Sequence, residues 1–130
     1  MRKIISITSF SLVLLCTNSL FAQKQTAQEK ELLKVYAKNE LSDLKKDGDK
    51  YAVLCYAIDH AIYMIDAPKD KDVSAFPEIV INKDELPTFT DLTIKISDRS
   101  QYFRVAGQNK LLIVKSMYVL QLEMKKTSKQ

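Results

Sequence analysis

The N-terminal 22 residues most constrain what this chain can fold into, because they set how much of it is left to form a domain. Arg2 and Lys3 precede a largely apolar run over residues 4–15, and Thr17-Asn18-Ser19-Leu20-Phe21-Ala22 closes the segment before Gln23. A basic start, a short apolar stretch and a small residue before the cut make a secretory signal peptide. The run is shorter than the roughly 20 residues that a membrane-spanning helix needs, and Ser6, Thr8, Ser9 and Ser11 dilute it. A lipid anchor on Cys16 would need a small residue just before it, and Leu15 stands there. The reading is therefore a cleaved signal at 1–22 and one small domain at 23–130 that ends in a polar tail.

Cleavage changes the charge and the redox arithmetic. Of 130 residues, 20 are Lys or Arg and 16 are Asp or Glu, a formal charge of +4. Losing Arg2 and Lys3 leaves 108 residues at +2. Cys16 leaves too, so Cys55 has no partner in its own chain for a disulfide even in an oxidising compartment. The Phe21-Ala22-Gln23 ending resembles that of exported bacterial proteins, and the expected location is periplasmic or extracellular. Nothing after Lys24 is apolar for long enough to span a membrane.

Two glycines and one histidine exclude whole classes of chemistry. A phosphate-cradling loop needs several glycines, and His-based zinc or nucleophile sites need more than His60. A near-neutral mature chain without an RNA-binding aromatic motif is poorly suited to nucleic acid. Asp70, Asp72 and Ser74 imitate the start of a calcium loop, but Ala75 replaces the turn glycine and Ile81 the closing glutamate. No cofactor and no metal site is expected.

Local patterning predicts an α+β fold. Thr26 and Glu29 form a capping box, and Leu33, Ala37, Leu41 and Leu44 recur at helical spacing. One amphipathic helix over 27–46 follows, with Lys45 and Lys46 at its negative end and Gly48 as its stop. Lys30, Lys34 and Lys38 make a positive row on it, a weak candidate for an anionic partner and otherwise a solvated face. Residues 51–58 and 61–65 are rich in strand formers and flank Asp59-His60, which predicts a hairpin. That hairpin pairs Tyr56 with Tyr63 on one face and sets Cys55 about 16 Å from His60, too far for a catalytic pair.

Further strands are expected at 79–81, at 92–96 from the alternation of Leu92, Ile94 and Ile96, and at 102–105. A turn follows at 106–109. From Lys110 onward an alternating pattern predicts one long bent strand or two shorter ones, with a helix over 117–124 as the other reading. The sum is an N-terminal amphipathic helix packed on a mainly antiparallel sheet of about five strands. This helix-then-meander order is similar in outline to the cystatin-like architecture, without a residue motif that would carry a family assignment.

Function follows from what the hairpin cannot hide. It is apolar on both faces, and one helix covers only one of them. The expectation is a small exported, non-catalytic binding or interaction module. Tyr56 and Tyr63 contact an apolar small molecule or a protein, and Lys30, Lys34 and Lys38 are secondary contacts. The alternatives are a small carboxylate-dependent hydrolase using groups such as Asp66 and Glu78, and an inhibitor or immunity-type protein of the bacterial envelope. The signal assignment is checked by intact mass of the chain recovered from an expressing bacterium. The account expects an N-terminus at Gln23, and retention of Met1–Ala22 contradicts it.

Overall fold

The computed structural model describes residues 27–82 and 84–128. Residues 1–22, read above as a signal, and the Thr26 half of the capping box lie outside the described residues. The chain divides into two units, ending at Glu31 and beginning at Leu32. Described residues of the first, 27–31, are helical.

The long helix expected over 27–46 is two helices. The first (α1) ends at residue 33, residues 34–36 turn, and α2 runs Lys38–Lys46. Ala37 between them is extended, at φ −69° and ψ 156°, and its N–H donates to Glu40 Oε1 at 3.1 Å. The break also changes which residues go inside. Leu32, Tyr36 and Leu41 are buried, whereas Leu33 and Ala37 are exposed. Gly48, expected as a helix stop, instead begins α3, Gly48–His60.

That third helix replaces the expected hairpin. Residues 51–58 are strand formers by type, but the apolar run with its flanks extends over 13 residues, longer than most strands, and contains Ala52 and Ala57. Val53, Ala57 and Ala61 recur every four residues and all are buried, with Leu54 beside them. The Ala61 N–H bonds the Ala57 carbonyl at 2.9 Å, closing the last turn. Asp59-His60 is therefore a helix end, and the chain enters β1 (Ile62–Asp66) with no hairpin turn.

Among the described residues four strands, not five, form one mixed sheet: β1, β2 (Glu78–Ile79), β3 (Gln101–Val105) and β4 (Lys110–Val114), in the order β1-β4-β3-β2. The β1–β4 and β4–β3 pairs are antiparallel, and β2–β3 is parallel. A parallel pair ends the resemblance in outline to a helix-then-meander architecture. The β3–β4 turn matches expectation, with Gly107 at φ 73°.

Residues 92–96 show why an alternating pattern is not sufficient for a strand. Leu92, Ile94 and Ile96 do point inward relative to exposed Thr93 and Lys95. Their amides, however, go elsewhere: Leu92 N–H to Thr88 O, Ile94 N–H to Phe89 O, and Ile96 N–H to the Tyr36 hydroxyl. Thr93 sits at φ 52°, a conformation incompatible with an extended ladder. The C-terminal ambiguity resolves to a helix, α4 (Met117–Ser128). Ser116 interrupts the alternation because it is the cap: its Oγ accepts from Val119 N–H at 3.2 Å.

The core joins Leu32, Tyr36 and Leu41 to Val53, Leu54 and Ala57 of α3, Leu120 of α4, and the inner sheet residues Ile62, Val105, Leu112 and Val114. Phe89, on the long connection between β2 and β3, is fully buried within it. Among the described residues no helix is long and apolar enough to cross a membrane.

Tyr36 ties the helical break to residues 94–97. Its hydroxyl accepts the Ile96 N–H at 3.1 Å, and Lys95, 5.5 Å over its ring, bridges to Glu40 at 2.9 Å. Burial raises the Tyr36 pKa above its ordinary 10.0, against the lowering effect of the Ile96 amide bond. Tyr36→Phe leaves that buried amide without its acceptor and should cost about 1–3 kcal/mol in urea unfolding. A raised phenol pKa means that stability is intact below pH 10 and falls as pH rises through the folded-state value. The Phe variant should lack this component of the alkaline loss, and an identical alkaline profile contradicts the assignment.

Candidate functional site

Hydrogen-bond parity identifies the two faces of the sheet. Lys115 N–H bonds Ala61 O at 2.9 Å and Ala67 N–H bonds Asn109 O at 3.0 Å, in line with the β1–β4 register. Side chains alternate, so Ile62 and Met64 share the core face with Leu112, Val114 and Phe103. Tyr63 and Ile65 fall on the other face. Across the strands, Tyr63 is in register with Ile113 and Tyr102, and Ile65 with Leu111 and Arg104.

The centre of this outer face is closed to solvent. Leu111 and Ile113 are each only 4% exposed, flanked by Tyr63 and Ile65 at 40% and Tyr102 at 41%. Part of the cover comes from the connection between β1 and β2. Phe76 stacks on Tyr102 with ring centroids 5.4 Å apart, and Pro77 O accepts the Arg104 N–H at 2.8 Å. Between connection and sheet lies a groove of about 280 Å³, lined by Ile65, Pro68, Lys71, Asp72, Val73, Phe76, Tyr102 and Leu111. A second, more polar cavity of about 470 Å³ lies beyond Val73, with Arg104, Glu78, Gln108, Asn109 and Lys110 in its walls.

The connection holds its shape by local bonds. Ser74 N–H and Oγ donate to Asp72 Oδ1 at 3.0 and 2.6 Å, and these bonds lower the Asp72 pKa. The Asp72 and Ser74 groups that imitated a calcium loop are thus joined to each other in an Asx turn.

The candidate residues separate. Tyr63 lies on the outer face, 40% exposed. Tyr56 does not: it is on α3, half-buried, stacked on His60 at 4.2 Å and donating to Glu123 Oε2 at 3.4 Å. Among the described residues the two tyrosines are linked through a polar chain. Glu123 accepts from Lys115 at 2.8 Å, and the Lys115 ammonium lies 5.5 Å from the centre of the Tyr63 ring. The lysine row also dissolves, because it needed one continuous helix. Lys30 and Lys38 are exposed, and Lys34 sits in the turn within 3.7 Å of Asp91.

Other candidate chemistry is likewise dispersed. In α3, Cys55 and His60 are about 7.5 Å apart along the axis and roughly 140° around it. Burial raises the Cys55 thiol pKa, which disfavours the reactive thiolate. Asp66 shares the core-face parity of Ile62 and Met64 and bridges to Lys110 at 3.2 Å. Glu78 shares the outer face with Arg104 on the opposite edge strand, three strand spacings or about 14 Å away. A carboxylate pair acting across a glycosidic bond needs about 5–9.5 Å, so these two do not form one.

Sequence reasoning singled out Tyr63 on this face but not Tyr102, Phe76, Leu111 and Ile113, which the sheet register and the connection bring beside it. The odd positions of 110–114 are as apolar as the even ones, a signal that this strand is covered on both sides. Comparison with protein-family models, with curated proteins and with solved structures finds no match.

Proposed function

We propose that the chain is an exported, non-catalytic binding module whose contact surface is the outer face of its sheet. One observation carries the reading: a solvent-facing apolar strip of Tyr63, Ile65 and Tyr102 borders a groove floored by buried Leu111. Aromatic side chains that are half in water bury large area on contact at low entropic cost, which suits them to recognition. Concave apolar surface with a few polar groups at its rim is the usual form of a small-molecule site. The signal-like pattern of residues 1–22 supports a site of action outside the cytosol.

The separation of Cys55 from His60 and of Asp66 from Glu78 favours binding over hydrolysis by those residues. The groove favours a small apolar ligand over the lysine surface as the contact. A neutral apolar dye such as Nile red tests this directly. The expected result is saturable fluorescence enhancement, with amide shift changes at Tyr63, Ile65, Tyr102 and Ile113. The double variant Tyr63→Ser, Tyr102→Ser should weaken binding by roughly tenfold or more. It should retain the circular dichroism spectrum of the parent. Dye binding at the helices, or undiminished binding by the double variant, contradicts the proposal.

A further inference from the structure

We infer that the ligand of this face is an apolar carboxylate, its chain against Ile65, Phe76, Tyr102 and Leu111 and its carboxylate on Arg104. This rests on the binding-face reading above. Arg104 is in register with Leu111 and lies two residues from Tyr102 on the same side of β3. It is half-buried, and its Nε donates to the Phe76 carbonyl at 2.9 Å. That bond fixes the guanidinium at the junction of the apolar groove and the polar cavity, whose linings share Val73.

The two Nη nitrogens have no hydrogen bond or ion pair among the described residues. They are not closed off either, since no buried side-chain nitrogen or oxygen among those residues lacks a partner. A positioned guanidinium with its outer donors open is a fork that matches a carboxylate in two parallel bonds. The neighbouring cation Lys110 is engaged by Asp66 at 3.2 Å, and Lys71 stands in the groove wall beside Asp72, so Arg104 is the cation that a backbone bond holds at the junction, and it suits a monoanion. Glu78, in register with Arg104, is the opposing charge in the cavity wall and makes no bridge to it. The 280 Å³ groove is at the small end of ligand sites, which points to a short chain.

Titrating the purified protein with sodium octanoate, 1-octanol and sodium acetate, followed by amide shifts, separates the head from the tail. Octanoate should bind at least about tenfold tighter than 1-octanol, as a charge-assisted bond implies, and acetate weakest of the three. Arg104→Gln should bring the octanoate-to-octanol affinity ratio close to one, with the circular dichroism spectrum of the parent showing that the variant is folded. Arg104→Lys, keeping charge without the fork, should recover part of the octanoate advantage. Glu78→Gln should tighten octanoate severalfold.

Equal binding of octanoate and 1-octanol on the outer face, or an advantage that survives Arg104→Gln, overturns the inference and leaves the binding-face reading standing. Absence of binding by both octanoate and 1-octanol overturns the two together.

Discussion

The structure depends on β4 being buried on both sides. Leu111, Leu112, Ile113 and Val114 are consecutive and all buried, so the strand has no solvent face. It is hydrogen-bonded to β1 on one side and β3 on the other, and β2 reaches the sheet only through β3. Leu112 and Val114 face the helical core. Leu111 and Ile113 must be covered by something else, at about 2 kcal/mol for each aliphatic side chain removed from water. In this chain the cover includes the strand neighbours and the 67–77 connection, whose aromatic and aliphatic side chains are left half in solvent.

That demand explains why the candidate site lies where it does. A helix on the outer face would have hidden the apolar floor completely. A short connection anchored through Pro77 and Phe76 hides only part of it and leaves a groove along its edge. At the opposite end of the same face, Lys115 and Glu123 join α4 to Tyr63, so the aromatic border of the strip is held by a charged pair that is itself only partly exposed. The face is thereby built from β1, β3, β4 and one connection, with Arg104 at its polar limit.

Some of this was legible in the residues, and the failures have identifiable causes. The strands at β3 and β4, the Gly107 turn and the overall α+β class follow from alternation and turn chemistry. The expected hairpin failed because β-branched and aromatic residues at 51–58 also satisfy a four-residue repeat, and tertiary burial of Val53, Ala57 and Ala61 decided between the two. Residues 92–96 alternated in burial yet lacked a ladder, since their amides were claimed by a turn and by Tyr36. At 110–124 the even-numbered apolar series concealed Ser116 as a helix cap. Arg104 and Phe76 carry no signal in isolation; the register of three strands brings them to the rim of one groove.

Native-state amide hydrogen exchange across the sheet tests the central claim, that a strand buried on both faces holds the fold and creates the site. Amides of Leu111, Leu112, Ile113 and Val114 should be among the slowest in the chain, opening only with global unfolding. The Phe76 amide, in the connection that covers the outer face, should exchange faster by local opening. Exchange at Leu111 and Ile113 as fast as at Phe76 would contradict the account, because it would mean that the outer side of β4 is not a closed apolar surface.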